Sequence, residues 1–550
     1  MNGLVEVSAG QWASIADDFR ATLQQFADAA NENRGKLQLD QAAAMSLATI
    51  DDDILDIKAD KAWKKCLDKV RSIESINPDP PAALDCDLRD YQVDGFRWMC
   101  RLAEWGVGGI LADDMGLGKT VQTLALLLER IESGPALVIA PTSLGFNWES
   151  ECHKFSPSLA PKLLREADRK ELVANASEGD VIICSYGLVL RESELLQTVD
   201  WGTLVLDEAQ NVKNSNTKTA KEVRKLSAGW KVALTGTPME NHLGELWSLF
   251  RAVSPGVLGS WEQFRKKFAA PIEKENDDER RAALSRVIAP FILRRSKKDV
   301  LTDLPDRSES NLVIELTQQE QERYDQVRLA AVGELDELGT EKLSTDQRFK
   351  VLQLLTRLRQ IACHVNLIDD DWKEGSSKLR MLMERLEQLK ERGHRVLIFS
   401  QFTSHLGLIK DACDEAGFTY QYLDGQTPPN ARQQRVEAFQ SGDGDIFLIS
   451  LKAGGTGLNL TAADYVIHMD PWWNPAVEDQ ATDRAHRIGQ KKNVMVYRFI
   501  AKGTIEEQII SLHAEKRDLV EGILSGAEAS GKMSIEQLAA LIRDGVVAKS

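Results

Sequence analysis

Two series of short apolar runs constrain the fold of this 550-residue chain more than any other feature. The first comprises GGILA (108–112), ALVIAP (136–141), VIICSY (181–186), TLVLDEA (203–209) and KVALTGT (231–237), and the second RVLIFSQ (395–401), DIFLISL (445–451), YVIHMD (465–470) and VMVYRFI (494–500). These runs are apolar on both faces, which is typical of strands buried in a parallel sheet. Amphipathic segments such as 120–133 and 377–392 separate them. The sequence therefore predicts two doubly wound α/β domains.

The segments outside the two series carry helical patterns. Residues 240–375 are charged and helix-rich, and Thr504 with Glu507 forms a capping-box pattern that predicts a long helix at 504–524. We expect five regions: a helical N-terminal segment (1–80), a first lobe (81–295) with a helical protrusion at about 240–295, a helical linker (296–376), a second lobe (377–503) and C-terminal helices (504–550).

Composition narrows the class of protein. No apolar run approaches the roughly 18 residues that span a bilayer, so no membrane association is expected. The seven cysteines form no CxxC pair and no zinc-like spacing, which predicts a cytoplasmic protein without zinc. A net charge of −16 argues against a protein that coats nucleic acid by bulk electrostatics. It does not exclude a local basic track inside a cleft.

A glycine-rich turn lies between the first apolar run and a helix. Gly116 and Gly118 let backbone N–H groups point at phosphate oxygens, Lys119 would neutralise phosphate charge, and the Thr120 hydroxyl would bind Mg²⁺. The usual pattern has glycine five residues before Gly118, where this chain has Asp113. An incidental turn is the alternative, which the flanking strand and helix disfavour.

Two acids end the run TLVLDEAQ. Carboxylates at the carboxyl end of a parallel strand lie where α/β sheets bind ligands. Asp207 is predicted to hold Mg²⁺, and Glu208 to orient or deprotonate the attacking water. Upstream of the turn, Gln92 offers an amide that can pair with an adenine edge.

Far downstream, Arg484 and Arg487 stand three residues apart, a spacing that puts both on one face of a helix. Planar guanidinium groups suit the charge that develops on a transferred phosphoryl group. Two solvated surface arginines are the alternative.

Polar residues at other strand ends are candidate nucleic-acid contacts, because hydroxyls and amides in such turns commonly hold phosphates. The turn at 454–457 lets backbone approach either DNA or nucleotide, and Trp473 either packs at a groove or caps a core. The candidates are Thr142, Ser143, Ser185, Tyr186, Gln401, Lys452 and Trp473.

Ten strings together resemble the Swi/Snf-type ATPases of helicase superfamily two. LRDYQ, DDMGLGKT, APTSL, DEAQ, LTGTPMEN, FSQFTS, YLDGQT, AGGTGLNL, DPWWNP and DRAHRIGQ occur in the order of that family, over about 85–530. The compact form resembles a bacterial or archaeal member. Two departures are Gln210, where many relatives have histidine, and Lys452, where arginine is frequent.

The resemblance implies two RecA-like lobes that bind ATP between them, with a C-terminal brace helix. It implies catalytic roles for Lys119, Glu208, Arg484 and Arg487, and coupling of the nucleotide site to the DNA side through Gly236, Thr237 and Gln210. The implied ATP-binding residues are Gln92, Asp114, Met115, Gly116, Leu117, Gly118, Lys119, Thr120, Gly455, Arg484 and Arg487.

We therefore expect a DNA-stimulated ATPase that uses ATP and Mg²⁺ and translocates along double-stranded DNA to remodel protein–DNA complexes. Its compartment would be the cytoplasm, with the nucleoid if the source is bacterial. Two alternatives stay open: an RNA-directed or RNA-polymerase-associated ATPase, and a slow nucleotide-gated DNA-binding scaffold. A DNA-bound protein complex or RNA polymerase is a candidate partner.

Overall fold

A computed structural model describes residues 75–164, 168–239, 242–301, 303–337, 345–454 and 458–511. It also describes the stretches 4–8, 11–14, 31–33 and 36–38 and the single residues 69, 72, 73, 513 and 542. Within this part of the chain, no helix is both long enough and apolar enough to cross a membrane.

The N-terminal segment contains two short antiparallel hairpins. Strand β1 (Leu4–Ser8) pairs with β2 (Gln11–Ser14), and β3 (Asn31–Asn33) pairs with β4 (Lys36–Gln38). The segment was predicted to be helical, so these hairpins correct that prediction where it meets described residues. Most of the segment, including residues 15–30 and 39–68, lies outside the described residues.

The described residues, the N-terminal hairpins included, fall into two compact units that divide between Val300 and Leu301. The first contains a seven-stranded parallel sheet in the order β11-β5-β10-β9-β6-β8-β7. Its strands are β5 (Gly109–Leu111), β6 (Ala136–Ala140), β7 (Ala160–Leu163), β8 (Asp180–Ser185), β9 (Trp201–Asp207), β10 (Ala228–Leu234) and β11 (Ile292–Leu293). Five of these strands come from the first apolar series.

Helices connect these strands. The principal ones are Asp90–Trp105, Lys119–Glu129, Gly145–Phe155, Arg169–Ala174, Tyr186–Arg191, Ser193–Leu196 and Lys218–Lys225. Between β10 and β11 the chain makes a helical excursion through Leu243–Val253, Trp261–Phe264, Ala270–Glu275 and Asp278–Ile288, and Lys297–Val300 follows β11. The excursion occupies the position of the predicted protrusion.

The second unit contains a six-stranded parallel sheet in the order β12-β17-β16-β13-β15-β14. Its strands are β12 (Arg307–Ile314), β13 (Val396–Ser400), β14 (Tyr420–Leu423), β15 (Ile446–Ser450), β16 (Tyr465–His468) and β17 (Val494–Ala501). Its helices are Gln318–Glu337, Thr345–Cys363, Ser377–Glu391, Thr403–Glu415, Pro429–Ser441, Leu451–Gly454 and Pro475–Thr482. Two parallel α/β lobes confirm the predicted fold class.

One predicted boundary needs correction. The linker at 296–376 was expected to be helical, yet β12 lies within it and pairs along its whole length with β17. The reason is exposure: five of the eight β12 residues are exposed, so the strand carries no continuous apolar run.

The predicted C-terminal helix is described only at its start. Residues 505–511 are helical, and the Glu507 carboxylate accepts from the Gly503 N–H at 3.0 Å. The remainder of the predicted C-terminal helices lies outside the described residues, apart from residues 513 and 542.

Candidate nucleotide site

Three neighbouring strands of the first unit end at the same level. Parallel register pairs Leu111 of β5 with Leu234 of β10, and Leu234 with Asp207 of β9. The glycine-rich turn follows β5, the segment TGTPM follows β10, and Glu208 follows β9. Their residues therefore meet at the carboxyl edge of the sheet, where α/β folds bind ligands.

The glycine-rich turn has the backbone shape that a phosphate loop requires. Gly116 and Gly118 have φ of 86° and 77°, a region that costs other residues steric strain. Lys119 begins the following helix, and its Nζ donates to the carbonyls of Asp113 at 2.6 Å and Asp114 at 3.2 Å. Thr120 lies in the first helical turn and is half-buried. The turn therefore has the backbone conformation of a phosphate loop, and Lys119 Nζ lies against its first residues.

Asp113, which replaces the usual first glycine, is fully buried and paired. Arg295 donates from Nε to Asp113 Oδ1 at 3.0 Å and from Nη2 to Oδ2 at 2.5 Å. Arg295 was not predicted from the sequence. A buried carboxylate requires a cationic partner, and that requirement was the available signal.

Gln92 lies against the loop, with both ends of its amide engaged. Nε2 donates to the Leu117 carbonyl at 3.1 Å, and Oε1 accepts from the Arg89 N–H at 3.0 Å. The Tyr91 hydroxyl donates to the same Leu117 carbonyl at 3.0 Å. Gln92 therefore holds the loop here, and its adenine contact stays a prediction.

The two acids at the end of β9 differ in their surroundings. Asp207 accepts from the Trp148 indole N–H at 2.8 Å and from the Glu208 N–H at 2.9 Å. Burial, and next the neighbouring Glu208 carboxylate, raise the pKa of Asp207 to about 7. Glu208 has a φ of 48°, which turns the chain sharply after the strand. Trp148 is a further residue that the sequence analysis missed.

This environment fits a divalent cation. The half-buried Asp207 is followed directly by the buried Glu208, and Lys119 opposes the upward shift in the pKa of Asp207. Thr120 supplies a hydroxyl in the first helical turn. Hard oxygen ligands of this kind are those that Mg²⁺ prefers.

A chain of hydrogen bonds joins Glu208 to the end of β10. The Gln210 amide donates to Glu208 Oε2 at 2.8 Å and accepts from the Thr235 hydroxyl at 2.9 Å. The Thr237 N–H in turn donates to the Thr235 hydroxyl at 3.1 Å. Gln210 thus connects Glu208 to the end of β10 through Thr235, which was not predicted from the sequence. Coupling of the nucleotide site to a DNA side through Gly236, Thr237 and Gln210 stays a prediction.

Gly236 brings the same segment against the phosphate loop. A β-carbon at this position would lie 2.9 Å from Met115 Cγ, so a larger residue would displace Met115 or the segment. The loop, the acids and the TGTPM segment consequently form one packed group.

The nucleic-acid candidates of the first unit separate by exposure. Thr142 is exposed and Ser143 is partly exposed. The Ser185 hydroxyl accepts from the Leu188 N–H at 3.2 Å and caps a short helix. Tyr186 is buried, and its hydroxyl donates to the Asp207 carbonyl at 2.8 Å. Its side chain therefore supports the acid pair, contrary to the surface contact that its position suggested.

In the second unit, Arg484 and Arg487 lie just beyond the helix Pro475–Thr482. They occupy a turn and do not share a helical face, which corrects that expectation. Arg484 is buried, whereas Arg487 is half-buried and donates to the Leu458 carbonyl at 3.2 Å. The Gln490 amide donates to the carbonyls of Thr461, Ala463 and Ala485, which fixes the turn.

The other candidates of the second unit lie after neighbouring strands. The Gln401 N–H donates to Asp470 Oδ2 at 3.2 Å. Trp473 lies 5.1 Å from the Arg359 guanidinium, which donates to the Pro471 carbonyl at 2.7 Å. These contacts favour a packing role for Trp473. Lys452 lies in the helix Leu451–Gly454, and Gly455 lies outside the described residues.

A buried polar cluster lies beneath this edge. The side chains of Cys363, His405 and Asp470 offer ligand atoms within 4.8 Å of one another. Lys378 is fully buried beside them, with its Nζ 2.6 Å from Glu506 Oε2. Its ammonium group already supplies positive charge to the cluster. The cluster therefore resembles a compensated core network more than a metal centre.

Two protein-family models match the chain. Residues 91–367 match the SNF2-related domain, and residues 377–489 match the helicase conserved C-terminal domain. The chain belongs to the SNF2-related family. The motif-based resemblance is thus confirmed, and the predicted enzyme class, an ATP hydrolase, is the class of this family.

Members of the family from distant organisms are similar to the chain. A putative ATP-dependent helicase/translocase of Bacillus subtilis is 37% identical over 96% of this chain and 60% of its own length. A human SWI/SNF-related regulator of chromatin, subfamily A member 1, is 38% identical over 83% of this chain and 46% of its own length. The chain therefore spans less than two thirds of these SNF2-family relatives.

A solved SNF2-family structure is also similar. The Sulfolobus solfataricus SWI2/SNF2 ATPase core in complex with dsDNA is 37% identical, covers 82% of this chain and 95% of its own, and has a TM-score of 0.43.

The burial of Tyr186 generates a prediction. In Tyr186→Phe the Asp207 carbonyl loses its donor, so the free energy of unfolding should fall by about 1 kcal/mol while affinity for duplex DNA stays within about twofold. Urea denaturation and fluorescence anisotropy measure the two quantities. Tyr420→Phe, which removes a hydroxyl bonded to Asp414, is the matched control and should cost less because that bond is exposed. A large loss of DNA affinity at unchanged stability would restore Tyr186 as a contact.

Proposed function

We propose that this chain is a DNA-stimulated ATPase that translocates along double-stranded DNA without separating its strands. The observation that carries the proposal is the hydrogen-bonded path from Glu208 through Gln210 and Thr235 to Thr237. Because Glu208 is connected by these hydrogen bonds to the segment after β10, a change at the γ-phosphate can move that segment.

ATP would bind with its phosphates on the N–H groups of the loop at Gly116 and Gly118. Lys119 would leave the carbonyls of Asp113 and Asp114 for phosphate oxygens, exchanging neutral acceptors for charged ones. Asp207 and Thr120 would hold Mg²⁺, which neutralises phosphate charge when it is bound.

Glu208 would orient and deprotonate the attacking water. The Gln210 amide fixes one of its carboxylate oxygens at 2.8 Å, and the backbone turn at Glu208 sets the direction of the side chain. A base held in place before reaction needs little reorganisation in the transition state.

The second unit would supply positive charge to the γ-phosphate. Arg487 is the better candidate because it is half-buried, whereas Arg484 is buried and its carbonyl accepts from Leu460 N–H at 2.9 Å. In this mechanism ATP alone leaves Arg487 misaligned, and duplex DNA held by both units brings it onto the phosphate. Hydrolysis then releases that arrangement, and the cycle moves the protein along the duplex.

Duplex DNA is proposed as partner because the similar archaeal core is described in complex with dsDNA. With a net charge of −16, contacts must be local, and Thr142 and Ser143 are the most accessible candidates in the first unit. We place the protein in the cytoplasm, on the nucleoid in a bacterium, where it would remodel protein–DNA complexes.

The comparison of nucleic acids tests this proposal. ATP hydrolysis should rise most with duplex DNA, less with single-stranded DNA and least with RNA. Displacement of a triplex-forming strand should require hydrolysable ATP. Stimulation by RNA above that by duplex DNA would replace the proposal with an RNA-directed ATPase, and binding without displacement would leave a static scaffold.

Glu208→Gln should retain ATP binding and lose turnover by at least about a hundredfold, because the amide cannot accept the proton of water. Equilibrium binding and phosphate release measure the two effects. Glu104→Gln, at an exposed acid of the same unit, is the control and should hydrolyse ATP like the wild type. Turnover near the wild-type rate in Glu208→Gln would remove Glu208 from this role.

Arg487→Ala should lose DNA-stimulated hydrolysis by about a thousandfold, the lower end of the effect of an arginine finger, while retaining affinity for ATP and DNA. Arg392→Ala removes an exposed arginine at the end of the helix Ser377–Glu391 and serves as the control. A stimulated rate in Arg487→Ala within about threefold of the wild type would rule out a site completed by the second unit.

A further inference from the structure

The phosphate loop is held from outside its own sequence by the segment that follows the helical excursion. The N–H of Ala112 donates to the carbonyl of Leu293, the last residue of β11, at 2.7 Å. The N–H of Asp114 donates to the carbonyl of Arg295, which follows β11, at 3.0 Å. The N–H of Lys297 donates to Asp114 Oδ2 at 3.0 Å. The ladder between β5 and β11 therefore continues into the first half of the loop.

The Arg295 side chain completes this attachment. Its fork binds both oxygens of Asp113, and a further N–H donates to the Tyr91 carbonyl. Nη2 also donates to Gln122 Oε1 at 3.0 Å. Asp113 is 0% exposed and Arg295 has 13% of its side chain exposed, so solvent screens this pair weakly.

We propose that Arg295 is a positioning residue for ATP, which sets the shape of the phosphate loop through Asp113. The proposal rests on the ATP site proposed above. Lys119 Nζ donates to the carbonyls of Asp113 and Asp114. Because Arg295 is hydrogen-bonded to the same two residues, it sets the position of the lysine indirectly.

Arg295 preorganises the phosphate loop for ATP. A loop of alternating glycines samples many backbone conformations unless other groups restrict it. If only a fraction of the molecules has the binding-competent loop, the apparent Kd rises by the inverse of that fraction. Arg295 raises this fraction without touching ATP. Its loss should therefore weaken binding and leave the hydrolytic step itself nearly unchanged.

The test compares adjacent arginines in the full chain. Arg295→Lys keeps the charge but loses the planar fork, and the Kd for a fluorescent ATP analogue should rise about fivefold or more. At saturating ATP and duplex DNA, kcat should stay within about twofold, because Glu208 and Arg487 are unchanged. Arg294→Lys makes the same substitution at the exposed neighbour and should match the wild type.

Asp113→Asn provides a second measurement if Arg295→Lys does not fold. The amide keeps the volume of the carboxylate but only one acceptor, so the Kd should rise by about threefold. If both variants fold, their double mutant should be less than additive, because they remove the same attachment.

Three results would overturn the proposal. One is an ATP Kd in Arg295→Lys and Asp113→Asn equal to that of Arg294→Lys. Another is a fall in kcat at unchanged Kd. The third is joint loss of ATP binding, DNA binding and the circular dichroism signal, which would assign the pair to stability alone. A wild type that binds ATP without DNA-stimulated hydrolysis would instead contradict the proposed function, while the Kd comparison would still report on Arg295.

Discussion

Parallel strand pairing in the first unit is the constraint on which the rest of the site depends. The register that sets Leu111, Leu234 and Asp207 side by side fixes where three loops begin. Short polar contacts can then join those loops, as Gln210 joins Glu208 to Thr235. A slip of one residue in any of these strands would turn side chains to the opposite face and separate the groups.

Charges buried behind the reactive edges appear in both units. Asp113 with Arg295 lies behind the phosphate loop, and Lys378 with Glu506 lies behind the edge that carries Gln401 and Asp470. Such pairs contribute little net stability over apolar residues of similar size, but removal of one partner is costly. We therefore interpret them as devices that fix local geometry. The two members of each pair are far apart in sequence, so the first pair attaches the segment after the helical excursion to the phosphate loop, and the second attaches the C-terminal helix to the helix Ser377–Glu391.

The sequence predicted the central strands of both sheets and missed the outer ones. The missed strands β7, β11, β12 and β14 are the four edge strands. A central strand of a parallel sheet is covered on both faces and reads as an apolar run, whereas an edge strand has one open side and a mixed composition. Within the site, motifs identified the groups that act on ATP. They could not identify Arg295, Trp148 or Thr235, because partnership depends on which segments the fold brings together. Tyr186 is a further example: its position at a strand end was predicted correctly, but its side chain points into the core and not to the surface.

The two-residue strand β11 has an evolutionary consequence. The chain leaves the sheet after Leu234, passes through the helical excursion and re-enters at Ile292, directly beside the phosphate loop. We expect that gain or loss of helices within the excursion leaves the nucleotide site undisturbed, provided that the re-entry from Ile292 to Lys297 is preserved. Different members of a family would in this way carry different recognition surfaces on the same nucleotide site. The same arrangement makes the re-entry, and not the excursion itself, the place for an engineered reporter, because whatever bends the re-entry also bends the loop.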